Sequence, residues 1–222
     1  MKLKKYHKLI IAADGSAASG KTTGAKIIAK KYKMKFLSSG LLYRYASYKL
    51  IKHNPKNKIP FLKKCFKNLN LSKLNNKNLH LPEISEHSSI IAKQQKIRNI
   101  LKLFQRKFAK KYNKVVIEGR DIQTKILPNA DIKFFFKCNL NVAALRRFKE
   151  LKKRYKNTKL LDVKKAMRIR DNLDKKRKIS PLTQAKNAVI VQTDKLNIKD
   201  MIVLMSKVVE KRIKEKYGYW RD

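Results

Sequence analysis

The chain predicts an α/β fold, a five-stranded parallel sheet flanked by helices, and three observations carry that expectation. Short apolar runs alternate with longer stretches whose apolar residues recur at helical spacing. A glycine-framed segment, Gly15-Ser16-Ala17-Ala18-Ser19-Gly20-Lys21-Thr22, follows the first apolar run and opens the first helical stretch. No apolar run approaches the ~18 residues that a membrane span requires.

Residues 8–13 form the first strand. Residues 21–33 form a helix, with Ala25, Ile28, Ala29 and Tyr32 on one face. A short strand at 35–37 leads to a helix at 41–51, with Ser39-Gly40 placed as a cap. Residues 53–81 are rich in Asn, Lys and Leu, contain Pro55 and Pro60, and read as a partly helical inserted segment. One long amphipathic helix is expected over 88–112, its apolar face made of Ile90, Ile91, Ile97, Leu101, Phe104 and Phe108. Strands follow at 114–118 and 131–136, helices at 142–155 and 160–173, a last strand at 188–192 and a last helix at 198–214. That final helix turns Ile202, Met205, Val209 and Ile213 inward.

The segment 15–22 matches G-x-x-x-x-G-K-[ST], the phosphate-cradling P-loop. Its glycines let the backbone aim N–H groups at phosphate oxygens, and the following helix adds its positive dipole end. Lys21 reaches the β- and γ-phosphates, and the Thr22 hydroxyl suits Mg²⁺. Strand before and helix after is the context the motif needs, and with five strands it fits a P-loop kinase core.

The 222 residues carry 58 Lys and Arg against 15 Asp and Glu, a net charge of +43. Such a charge suits a nucleic-acid partner. The basic residues are spread over almost every expected solvent face, however, so compositional drift is the favoured reading and no specific nucleic acid is expected. The basic N-terminus lacks the features of a secretory leader, which makes cytoplasm the default. Cys65 and Cys138 lie far apart and read as buried free thiols, without disulfide or zinc.

Four further segments carry chemistry. Residues 38–44, Ser-Ser-Gly-Leu-Leu-Tyr-Arg, follow the second strand, at the strand ends where open parallel sheets bind ligands. Glu118-Gly119-Arg120-Asp121 closes the third strand, and a carboxylate such as Glu118 ending an apolar strand needs a cation nearby. Arg170, Asp174 and Arg177 are spaced to share one helical face. Arg146-Arg147 are either surface charge or cations for a transferring phosphate.

Taken together, these segments resemble the bacterial-type cytidylate (CMP) kinase family, whose P-loop, [DS]-S-G-x-x-Y-R, G-R-D-x-G-T and R-D-x-x-D-x-x-R…[AS]-P-L segments stand here at 15–22, 38–44, 119–124 and 170–177 with 180–182. The resemblance covers about residues 8–213 and implies a P-loop kinase fold with a small NMP-binding insert and a lid. The chain then forms one domain over 1–222. Its core is 8–53, 91–145 and 181–216, its insert 54–90, and the lid with the following helix 146–180. It also implies transfer of the γ-phosphoryl group of ATP to CMP, and to dCMP, with Mg²⁺; a monomer without a membrane partner is expected.

By the same resemblance Gly15, Ser16, Ala17, Ala18, Ser19, Gly20, Lys21, Thr22 and Thr23 bind ATP. Thr22 ligates the metal, and Lys21, Arg120 and Arg177 are catalytic. Ser39, Ser89, Arg98 and Asp121 surround the cytosine, Arg44, Arg120 and Arg177 hold the CMP phosphate, and Arg170 and Asp174 border the ribose. Two departures stand out. Ser38 replaces a frequent Asp, and Gln123 replaces a Gly, which puts the tightness of the turn after Asp121 in question because glycine permits positive φ. The other readings are a basic nucleic-acid-binding protein on a P-loop scaffold, and a P-loop kinase with another acceptor such as UMP, dTMP or shikimate.

Overall fold

The computed structural model describes residues 7–153 and 155–218. They fall into two compact units, one assembled from the chain up to Leu37 and from Tyr112 onward, the other from Ser38–Lys111.

The first unit holds a five-stranded sheet of β1 (Leu9–Gly15), β2 (Lys35–Ser38), β3 (Lys114–Gly119), β4 (Ile132–Lys137) and β5 (Val189–Gln192), in the order β2-β3-β1-β4-β5. β1 is central and pairs in parallel with β3, Ala12 beside Ile117, and with β4, Ala13 beside Phe134. A strand paired on both sides is largely apolar, and Leu9, Ile11, Ala12 and Ala13 are all fully buried. Helices α1 (Lys21–Lys31) and, at the far end of the chain, α8 (Ile198–Tyr217) pack with the sheet in one core. In it Ala25 and Ile28 meet Phe134, Phe136, Met205 and Val209. A second cluster joins α6 (Leu140–Lys152) and α7 (Leu160–Lys176) through Ala143, Ala144, Val163 and Met167, with Ala17 and Ala18 packed against it.

The second unit contains α2 (Ser39–His53), α3 (Lys58–Lys67), α4 (Pro82–Ile91) and α5 (Gln95–Lys111), with two short 3₁₀ turns between α3 and α4. The expected insert, 54–90, lies within it. Phe66 stands edge-on to both Tyr45 and Phe104, which knits α2, α3 and α5.

Four expectations are corrected. The single helix over 88–112 is two helices, α4 and α5, interrupted at 92–94; Arg98 donates from NH1 to the Ala92 carbonyl at 2.9 Å and so answers a carbonyl that the break leaves open. Ile90, expected on the apolar face, is consequently exposed, while Ile91, Ile97, Leu101 and Phe108 are buried. The cap of α2 is Ser38, whose Oγ accepts from the Leu41 N–H, rather than Ser39-Gly40. Arg177 does not continue the helical face of Arg170 and Asp174: α7 ends at Lys176, and Arg177 is its extended cap residue. Cys65 and Cys138 are free thiols, as expected, but neither is fully buried.

Phe134, on β4 between β1 and β5, has no exposed surface. Phe134→Ala is expected to cost about 3–5 kcal/mol, whereas truncating the exposed Leu103 on α5 changes stability by less than about 0.5 kcal/mol. Equilibrium denaturant unfolding of the two variants checks both values.

Candidate active site

The carboxyl ends of β1 and β3 carry the phosphate loop and the Arg120-Asp121 step. β1 runs into Gly15, where a side chain would meet the Phe136 carbonyl at 2.6 Å and the Ser19 hydroxyl at 2.8 Å, so only glycine fits. The loop then bends through Ala18, with φ of 50°, and Gly20, with φ of 79°. Left-handed backbone is strained for alanine, and such strain gathers where a loop is shaped for a ligand. Lys21 begins α1 and donates to the Ser16 carbonyl at 3.0 Å, which Ser19 Oγ also reaches at 3.0 Å. Burial draws the Lys21 ammonium down to about 7, helped by repulsion from Arg120 and opposed by Glu118.

Arg120 bridges the strand ends to α7. Its NH1 donates to the Gly15 carbonyl at 2.8 Å and its Nε to Asp174 Oδ2 at 2.8 Å. Arg177 NH1 reaches Asp174 Oδ1 at 3.2 Å, its NH2 lies 4.0 Å from Asp121, and its Nε donates to the Ser180 carbonyl. Burial works against these charges, yet the Asp174 carboxylate holds the Arg120 guanidinium above its ordinary range. Asp174 in turn is held below the usual carboxylate range, by Arg120 first and then Arg177 and Arg170. Arg170 is depressed by burial and by the neighbouring Arg120. Glu118 has the cations its position called for, since its charge acts on both Lys21 and Arg120.

The first unit therefore brings the loop residues Gly15–Gly20, with Lys21, Thr22 and Thr23 at the head of α1, into one neighbourhood with Arg120, Asp121, Arg170, Asp174 and Arg177. Arg146 bonds to Thr193, through its carbonyl at 2.6 Å and its hydroxyl at 3.1 Å, and Arg147 pairs with Glu150 at 2.7 Å.

Ser39, Arg44, Ser89 and Arg98 belong to the second unit. Arg44 donates to the Leu79 carbonyl and to Ser85 Oγ, both at 2.9 Å, and Ser89 Oγ reaches the Ser85 carbonyl at 3.3 Å. Ser39 on α2 is buried, and Arg98, also buried, lies over the Tyr43 ring at 5.7 Å.

Three residues of the neighbourhood escaped the sequence reading. Asp171 on α7 accepts the Ala17 N–H of the phosphate loop at 3.0 Å. Thr193 after β5 bonds to the Ser19 carbonyl at 2.9 Å and touches the loop at Gly20. Asp14, fully buried in β1, accepts the N–H groups of Ile122 at 3.0 Å and Gln123 at 2.8 Å. An acid ending an apolar strand is the signal that singled out Glu118, and it applied equally to Asp14.

Gln123 answers the question its sequence position raised. It sits in a wide π-type turn, Ile122–Ile126, and is not among the residues of positive φ, so the turn did not need glycine. Its side chain is buried, donating to the Phe134 carbonyl at 3.2 Å and accepting from the Ala185 N–H at 3.1 Å.

The site fits an anionic ligand with a metal. Ala17 already directs its N–H at an anionic oxygen, and Lys21, Arg120 and Arg170 lie close enough to influence one another's charge. Thr22 supplies one hydroxyl, and Mg²⁺ in phosphate sites takes few protein ligands.

The sequence profile of a family described as Cytidylate kinase matches residues 11–211. A Cytidylate kinase of Clostridium botulinum is 34% identical over 212 residues, covering 90% of this chain and 97% of that protein. A Cytidylate kinase of Bartonella tribocorum is 38% identical over 211 residues, covering 92% and 96%. The crystal structure of an uncharacterized protein from Eubacterium ventriosum aligns with a TM-score of 0.55 at 18% identity, covering 92% of this chain and 99% of that one, a likeness of fold alone.

Burial pushes the Asp14 carboxyl up to about 7, against the two backbone N–H groups that favour its charge. A group raised in the folded state adds stability that is full below its unfolded value near 3.8 and is lost as pH rises through about 7. The melting temperature therefore carries a component that falls between these values. Asp14→Asn is expected to remove it, as melting curves of both proteins across pH 4–8 check.

Proposed function

Because the chain belongs to the cytidylate kinase family, we propose that it transfers the γ-phosphoryl group of ATP to CMP, and to dCMP, releasing ADP and CDP or dCDP. The observation that carries this reading is the gathering of Lys21, Arg120, Arg170 and Arg177 around one phosphate loop, with Asp174 fixing two of the four. Phosphoryl transfer asks a protein for positioning and charge neutralisation rather than covalent chemistry. Arginine offers a planar fork that matches phosphate oxygens, and in a chain so rich in lysine its use at these positions is informative.

In this reading the loop N–H groups and Lys21 hold the β- and γ-phosphates of ATP. Thr22 is the protein ligand of Mg²⁺, which when bound neutralises phosphate charge. Arg120 and Arg177 take the phosphate of CMP, and Arg170 and Asp174 border its ribose. Asp121 reads the cytosine. Residues 146–165 form the lid that excludes water. Among the described residues no helix is long and apolar enough to cross a membrane. The nucleic-acid reading and the other acceptors have no comparable support, since the relatives at these identities are named for cytidylate.

Lys21 acts on charge that develops during transfer, a role worth several kcal/mol in such sites. Lys21→Met is expected to keep the fold and lose at least about a hundredfold in turnover, read as ADP formed with ATP, Mg²⁺ and CMP. Near-normal turnover in the folded variant would sink the assignment of the loop.

Asp121 offers a carboxylate to the cytosine N4 amino group, where uracil presents a carbonyl. A site built to bond one group rejects the analogue that lacks it. Asp121→Ala is expected to lower kcat/KM for CMP more than for UMP, narrowing the gap between them. Equal losses would leave Asp121 outside base reading.

A further inference from the structure

Asp14 takes no part in the phosphate or base contacts proposed above, yet it is a fully buried acid at the root of the phosphate loop. A carboxylate is costly to bury, and the sheet would accept an apolar residue at this place. Its two oxygens are spent on two consecutive backbone N–H groups, those of Ile122 and Gln123. Neither bond belongs to a strand ladder.

The return connection is made by Arg120. Asp14 lies beside Gly119 in the β1–β3 register, and Arg120, the next residue on, donates to the carbonyl of Gly15. The side chain of residue 14 thus holds the backbone at 122–123, while the side chain of residue 120 holds the backbone at 15. The two links close a ring across the ends of adjacent strands. On one side of the ring is the root of the phosphate loop; on the other is the step bearing Arg120 and Asp121. Gln123 braces the far side of the turn to β4 through the Phe134 carbonyl and to the segment after Leu182 through the Ala185 N–H. A displacement of the loop root has no slack to disappear into before it reaches residues 120 and 121.

We infer that Asp14 is a positioning residue that couples the phosphate loop to the acceptor-binding step, so that the nucleoside triphosphate and the acceptor monophosphate bind cooperatively. The inference rests on the phosphotransfer reading above, and the test separates the two. Calorimetric titration of CMP into the full chain is done with and without a non-hydrolysable ATP analogue and Mg²⁺, for the native protein, Asp14→Asn and Asp14→Ala. In the native protein the analogue is expected to tighten CMP about fivefold or more, and CMP to tighten the analogue by the same factor. In the variants that ratio falls to about one. A merely structural role would weaken both nucleotides and leave the ratio unchanged, so a folded variant that keeps the native ratio overturns the inference. A native protein that binds both nucleotides with a ratio of one overturns it too, and leaves the phosphotransfer reading standing. A native protein that binds no CMP ends both. Should the variants fail to fold, amide exchange on the native protein decides. The analogue alone is expected to slow exchange at Ile122 and Gln123, and unchanged exchange there with the analogue bound overturns the coupling.

Discussion

Arg120 is tolerated where it stands because Asp174 faces it. The two side chains are each 17% exposed and meet at 2.8 Å, and removing Asp174 would leave Arg120 a largely buried cation without its ion-pair partner, a loss of about 3–5 kcal/mol in such pairs. Asp174 also takes Arg177, so one carboxylate from α7 orders two guanidinium groups from different segments. Through this pair the end of β3 is tied to α7, and through Asp171 and Ala17 the same helix is tied to the phosphate loop. The cationic surroundings of the loop are thus set before any nucleotide arrives, which is what electrostatic preorganisation requires.

Much of this was legible in the sequence because it rests on local patterns. The central strand is a continuous apolar run, the glycines of the loop are spaced by the needs of its backbone, and the motif segments fall at strand ends. What was not legible depends on tertiary partners. No proline or glycine marks the break between α4 and α5, which is answered by a guanidinium six residues further on. The spacing of Arg170, Asp174 and Arg177 reads as one helical face until α7 stops one residue short of Arg177. Gln123 looked like a defect in a glycine position, and proves to be a strut whose partners, Phe134 and Ala185, lie 11 and 62 residues away. Asp171 lies inside the motif at 170–177 but carried no role there, and Thr193 touches the loop from a region with no motif of its own.

The net charge of +43 has a different weight on the surface and in the site. Surface lysines are solvated and screened within about 10 Å at ordinary salt. Lys21 at the loop is not, and burial draws its ammonium down to about 7. The carboxylates that act on Lys21 or Arg120, namely Glu118, Asp171 and Asp174, are few in a chain with only 15 acids, and they are placed where the cations converge. The chain is strongly basic, yet the acids that the buried cations need are in place.

The order of the strands also governs how the protein emerges from the ribosome. β1 is synthesised first but sits at the middle of the sheet, and its neighbours β3 and β4 begin at Lys114 and Ile132. About a hundred residues must follow Gly15 before the first of these partners exists, a delay of roughly 5–20 s at bacterial and eukaryotic elongation rates. Throughout that interval the apolar run of Leu9, Ile10 and Ile11 lacks both of its sheet partners. The Ser38–Lys111 unit, by contrast, is continuous in sequence and completes its own contacts as it is made. The nascent chain therefore carries a finished helical body ahead of an unfinished sheet, and its early vulnerability to aggregation is concentrated in the strand that later becomes its most protected.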